Sequence, residues 1–150
     1  AKAKILADVL EDIPKSEPIV VFCRFTADID SALAVCEAAG RVVGEVSGRR
    51  KDLTSTAEYP SLATALVVQM QAGGAGIDLS RASTAIYFSV GFSLGDYKQS
   101  QARLHRPGQR HNVTYVHLIA ENTVDVKVYG ALKRRENVVE SILKSRRKQP

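Results

Sequence analysis

Apolar and polar positions alternate along the chain in two rhythms. Ile5, Leu6, Val9, Leu10 and Ile13 recur at three and four residues, which predicts a short amphipathic helix ended by Pro14. Ile19 to Phe22 is an unbroken β-branched and aromatic run, the mark of a strand buried on both faces. Thr26 is placed to cap a following helix whose apolar side is Ile29, Leu33 and Cys36, with Gly40 closing it. Val42 to Val46, Leu66 to Met70, Thr84 to Phe88 and Val113 to Ile119 read as further strands. Leu94 to Leu104 reads as a helix broken by Pro107-Gly108, and Leu53 to Ala63, polar and poorly periodic, as a helix or a loop. From Asn122, Val128, Leu132, Val139 and Leu143 mark one face of a long terminal helix.

Buried strands alternating with helices predict a parallel sheet covered on both faces, whose ligands bind beyond the carboxyl ends of the strands. The chain places its unusual residues there. Arg24 follows the first strand, Ser47-Gly48-Arg49-Arg50 the second, and Ala72-Gly73-Gly74-Ala75-Gly76 the third. With 150 residues, 45% of them apolar, and no internal repeat, a single domain is expected. No apolar run approaches the ~18 residues of a membrane span. Ala1 to Ile13 lacks the apolar core of a signal peptide, so a cytoplasmic protein is expected.

Charge sharpens this picture. Lys133, Arg134, Arg135, Lys144, Arg146, Arg147 and Lys148 face only Glu136 and Glu140, an excess equal to the net charge of +5 of the whole chain. Either a polyanion lies near the C-terminus or these residues complement a helix dipole. Cys23 and Cys36 are too few and too far apart for a disulfide framework or a thiolate metal site and read as buried thiols. His105, His111 and His117 have no ligand spacing, His117 reading as a sheet-face residue, so no metal site is expected. Tyr87, Tyr97, Tyr115 and Tyr129 read as packing aromatics, not as a base-stacking platform.

Two segments carry candidate chemistry. In Gln69-Met70-Gln71-Ala72-Gly73-Gly74-Ala75-Gly76-Ile77-Asp78-Leu79 the glycines let backbone approach a phosphate or ribose, or simply make a tight turn. It is neither a dinucleotide fingerprint nor a Walker loop. In Gln99-Ser100-Gln101-Ala102-Arg103-Leu104-His105-Arg106-Pro107-Gly108-Gln109, Arg103 and Arg106 share a helix face and can converge on one anion, or else pair with surface carboxylates.

In order, VVFCRF, SGRR, QAGGAGIDL, QxxxRxHRPGQ and LIAENTVD before a basic helix resemble the second motor domain of superfamily 2 helicases, and among them the Swi/Snf-type DNA-dependent ATPases. The resemblance runs from Ile19 to the terminal helix. It implies a three-layer α/β/α RecA-like domain with a mainly parallel sheet and a long C-terminal helix. Arg103 and Arg106 match the motif VI arginines that reach the γ-phosphate of ATP, and an arginine finger there is worth about 10³ to 10⁵ in rate. Gln99 opens that motif; Gly76 and Asp78 match the motif V residues near the ribose. Arg24, Gly48, Arg49, Arg50 and Gln71 fall where the family touches the DNA backbone.

Departures from the pattern are specific. Gln69-Met70 replaces the usual Ser-Thr pair, Asp78 stands where many members have Asn, and Gly91-Phe92-Ser93-Leu94-Gly95-Asp96 replaces a Trp-Asn-Pro turn. With the short stretch from Lys51 to Ala65, these features look more like compact bacterial or phage members, which implies a cytoplasmic, nucleoid-associated protein. The chain has no Walker lysine and no Asp-Glu-x-His box, so ATP with Mg²⁺ is expected to be bound mainly by a first RecA-like motor domain of a longer two-domain protein. DNA, duplex and without sequence preference, is the expected partner, and the isolated chain is expected to be inactive. The alternatives are a non-catalytic basic nucleic-acid-binding module on the same fold and a nucleotide-binding domain of a metabolic enzyme.

Overall fold

The computed structural model describes residues 2–71, 76–89, 94–105 and 112–118. Its elements run α1 (Lys2–Glu11), β1 (Ile19–Cys23), α2 (Thr26–Ala38), β2 (Val43–Val46), β3 (Ala65–Gln69), β4 (Thr84–Tyr87), α3 (Leu94–Leu104) and β5 (Thr114–His117). The five strands form one sheet in the order β2-β3-β1-β4-β5, and every pairing is parallel. The chain moves outward from the central β1 to β2 on one side, returns through β3, and crosses β1 to build β4 and β5 on the other. All five carboxyl ends therefore open on one edge.

Strict two-residue alternation sorts the core onto two faces. Ile19, Val21, Cys23, Ala65, Val67 and Ile86 pack with Leu6 and Leu10 of α1 and Ile29, Ala32 and Cys36 of α2. Val20, Phe22, Val46, Leu66, Val68 and Tyr87 face the other way, against Tyr59, Ile77, Leu79 and the α3 residues Tyr97 and Leu104. This is the three-layer RecA-like α/β arrangement. Cys23 and Cys36 are free and buried; burial pushes the Cys23 thiol far up and that of Cys36 up to about 11, so both stay protonated.

One expectation is corrected. Phe25, not Thr26, is the N-cap of α2, and no side chain caps it; the backbone enters from an extended Phe25 and the Thr26 hydroxyl plays no capping part. At the other end Gly40 adopts φ +85, as the expected stop does. Of the two readings of Leu53 to Ala63, helix or loop, the structure has the loop. It is held by distant partners: the buried Tyr59 hydroxyl donates to the Ile19 carbonyl at 2.8 Å, and Arg81 donates to the carbonyls of Pro60 and Ala63 while lying over the Tyr59 ring.

Arg41, 4% exposed, is the second device of this kind. Its Nη1 donates to the carbonyls of Glu17 (2.8 Å) and Thr64 (2.9 Å), and its Nη2 to those of Ile13 (3.2 Å) and Pro14 (3.1 Å). One guanidinium thus satisfies four main-chain acceptors in the segments entering β1 and β3. The expected terminal helix, the Pro107-Gly108 break and the basic stretch from Lys133 to Pro150 lie outside the described residues.

Candidate functional site

Helix α3 carries Gln99 and Arg103 of the candidate motif VI and is fixed to the sheet by polar contacts at its buried face. Ser100, 1% exposed, donates its hydroxyl to the Tyr97 carbonyl at 2.6 Å, so the Tyr87 hydroxyl, 2.7 Å away, is the donor to Ser100 Oγ. Tyr97 also hydrogen-bonds through its hydroxyl to His117 Nε2 on β5. The Tyr87 ring stacks on Phe22 (centroids 5.1 Å apart) and on His117 (5.0 Å), which makes a continuous aromatic layer under the helix. Desolvation in this layer lowers the His117 pKa.

On this platform Gln99 is exposed, whereas Arg103 is only 6% exposed. Burial lowers the Arg103 pKa and Asp96 opposes that, but a guanidinium stays charged. The Arg103 carbonyl accepts the Leu79 N–H at 2.9 Å, which brings the end of α3 against the segment carrying Gly76 and Asp78. Asp78 is held there from three sides. Its N–H donates to the Ala57 carbonyl (3.0 Å), its carbonyl accepts the Tyr59 N–H (3.0 Å), and its Oδ1 accepts both the N–H and the hydroxyl of Ser80. Gly76 has φ +93. The structure therefore brings together Gly76, Asp78 and Arg103; Arg106 lies outside the described residues, as does 72–75.

A second group of residues lines the carboxyl ends of β1, β2 and β3. Arg24 is exposed, with its guanidinium over the Phe25 ring at 5.1 Å. Its N–H donates to Ser89 Oγ at 2.8 Å, and its carbonyl accepts from Gln69 Nε2 at 3.4 Å. The Gly48 N–H donates to Gln69 Oε1 at 3.1 Å, so one glutamine amide bridges the loops that follow β1 and β2. Gln71 is exposed beyond β3. The residue that sequence reasoning met as a departure from a Ser-Thr pair is thus the link between two candidate DNA-contact loops.

Arg49 and Arg50 are less available than their charge suggests. Glu45, 1% exposed on β2, accepts Arg49 Nε at 2.7 Å and Nη2 at 3.3 Å; Arg49 Nη2 also pairs with Asp30 of α2, and Arg50 pairs with Asp52 at 2.5 Å. The Arg49 hydrogen bond, reinforced by Ser47, holds the Glu45 carboxyl below its ordinary range against the opposing effect of burial. Glu45 and Asp30 were missed because they come from β2 and α2, and only the fold joins them to the SGRR loop. Phe25, 56% exposed beside Arg24, likewise had no local signal to single it out.

Among the described residues no three His, Cys, Asp or Glu side chains converge into a metal-binding group, and no helix is long and apolar enough to cross a membrane.

Residues 1–108 match the family described as "Helicase conserved C-terminal domain". The chain is 27% identical over 151 residues to "Protein CHROMATIN REMODELING 19" of Arabidopsis thaliana, covering 97% of this chain and 20% of that protein. It is 33% identical over 81 residues to the human "DNA annealing helicase and endonuclease ZRANB3", covering 54% of this chain and 8% of that protein. The chain therefore spans a fifth or less of the length of these relatives. Among solved structures, the C-terminal part of the Fun30 ATPase domain superposes with a TM-score of 0.72 at 23% identity, over 87% of this chain and 44% of that one.

Proposed function

From the premise that the chain belongs to the helicase C-terminal domain family, in the Snf2-type branch of superfamily 2, we propose that it is the second motor domain of an ATP-driven DNA translocase or helicase. In this reading a first RecA-like domain of the same protein holds ATP and Mg²⁺, and the two domains close on the nucleotide. Arg103 and Arg106 approach the γ-phosphate, where guanidinium charge stabilises the transition state of β-γ phosphoanhydride hydrolysis. Gly76 and Asp78 approach the ribose, and Gln99 contacts the nucleotide or the opposing domain. Arg24, Gly48, Arg49, Arg50 and Gln71 face the phosphate backbone of duplex DNA without reading bases.

The observation that carries this reading is the hydrogen bond from Leu79 N–H to the Arg103 carbonyl. It sets the segment that carries Gly76 and Asp78 beside the end of the arginine-bearing helix, as two groups acting on one nucleotide need to be. The residues fit a partial nucleotide site only. A carboxylate, a turn with open backbone and a buried guanidinium can complete a site, while the primary phosphate and Mg²⁺ ligands come from elsewhere. The short segment between β2 and β3 supports a compact, bacterial or phage-type motor acting at the nucleoid, and the likeness to a DNA annealing helicase supports DNA as the substrate.

The test uses the complete two-domain protein. Arg106→Ala is expected to abolish DNA-stimulated ATP hydrolysis while leaving ATP binding nearly intact, because a finger acts on transition-state charge. Wild-type hydrolysis by that variant in the presence of DNA would return the arginine pair to a surface ion-pair role. The isolated chain is expected to fold and to show no turnover.

A further inference from the structure

The loop after β2 is not the basic patch that its sequence suggests, and the reason lies in one exposed carboxylate. Arg49 pairs with both Asp30 and Glu45, and Arg50 pairs with Asp52, so with the adjacent Lys51 three cations stand beside three carboxylates and the local charge is balanced. The two acidic partners of Arg49 differ in kind. Glu45 is 1% exposed and grips Nε and Nη2, so releasing Arg49 from it would leave a buried carboxylate uncompensated. Asp30 has a side chain 61% exposed and touches only Nη2. Water can replace that contact at small cost. Arg49 Nη1 has no protein partner among the described residues.

We propose that Asp30 occupies the place of a phosphodiester on Arg49, acting as a built-in competitor that sets how strongly this loop holds a nucleic-acid backbone. The inference rests on the reading that the loop faces DNA. Glu45 orients the guanidinium edge-on and keeps it there. A phosphate oxygen can then take the Nη2 and Nη1 donors that Asp30 and solvent now serve, in the two-pronged contact that guanidinium makes best. Until Asp30 moves aside, its own charge repels the incoming backbone. Weak, easily broken binding suits a surface that must release and re-engage as it steps.

The experiment is a duplex DNA titration by fluorescence anisotropy on the full chain, from about 50 to 200 mM salt. Asp30→Asn is expected to tighten binding up to about fivefold at the lowest salt, the affinity equivalent of one exposed ion pair. The slope of log K against log salt should steepen by up to about 0.9, one more phosphate contact neutralised. Asp30→Glu, which restores the pairing, should behave as wild type. Glu37→Gln makes the same change in net charge near the far end of α2 and should do markedly less. If Asp30→Asn matches wild type or Glu37→Gln while wild type binds duplex, the competitor role is overturned and the DNA reading stands. If wild type and every variant fail to bind duplex at the lowest salt, the DNA reading falls and takes this inference with it.

Discussion

The hydroxyl of Tyr87 on β4 donates to Ser100 Oγ on α3, and the Ser100 hydroxyl in turn donates a hydrogen bond to the Tyr97 carbonyl one turn earlier. Both side chains are buried, so the pair fixes the rotation of α3 and with it the direction in which Gln99 and Arg103 face.

The relay is directional, and substitutions at its two ends should differ. Ser100→Ala strands a buried phenol hydroxyl and is expected to cost about 1–3 kcal/mol, while Tyr87→Phe leaves Ser100 its carbonyl partner and should cost about 0.5–1.5 kcal/mol. Urea denaturation of the two variants measures the order; equal costs would mean that the Tyr87 hydroxyl is not left stranded when Ser100 is removed.

Arg41 serves four carbonyls at once; those of Pro14 and Thr64 also accept the N–H groups of Glu17 and Ile19, while among the described contacts those of Ile13 and Glu17 depend on Arg41. Arg41→Ala should destabilise the fold by roughly 2–4 kcal/mol, and Arg41→Lys, which cannot fork, should recover only part. The midpoint of chemical denaturation reports both.

His117 should make stability depend on pH in a defined direction. Its folded pKa lies below the ordinary 6.5 because the ring is desolvated beside Tyr87 and Tyr97. The unfolded chain therefore binds the proton more readily. The contribution is complete above the unfolded value and is lost as pH falls through it towards the folded one. Thermal unfolding from pH 7.5 down to 5 should show this decline, and His117→Phe should flatten it.

Arg103 and Arg106 should separate experimentally in the two-domain protein. The Arg103 side chain is buried, so Arg103→Ala leaves a void under α3 and is expected to lower both the hydrolysis rate and the melting temperature. Arg106→Ala is expected to lower the rate alone. Calorimetry beside an ATPase assay distinguishes them.

Features written in short-range periodicity were legible before any coordinates. The runs at Ile19, Leu66 and Thr84 announce strands because burial on both faces leaves no polar positions, and Leu94–Leu104 matches its expected bounds. What escaped depends on contacts between distant segments. The start of α2 at Phe25 is set by backbone geometry without a side-chain signal, and the stretch before Ala63 is held by Ile19 and Arg81, which no local window contains. The candidate site divides the same way. Motif spacing points to Arg103, Gly76 and Asp78, whereas Glu45 and Asp30 alter the meaning of Arg49 only once β2 and α2 lie side by side.

Gly76 has a φ of +93, yet among the described residues an added Cβ there would meet no atom within 4 Å. Space and torsion make opposite demands at this position. A saturation library at residue 76 should therefore rank by handedness and not by volume: glycine first, asparagine and aspartate next, and compact β-branched valine below bulkier side chains that tolerate the left-handed region. The turn beside Asp78 is a filter on backbone chirality, indifferent to size.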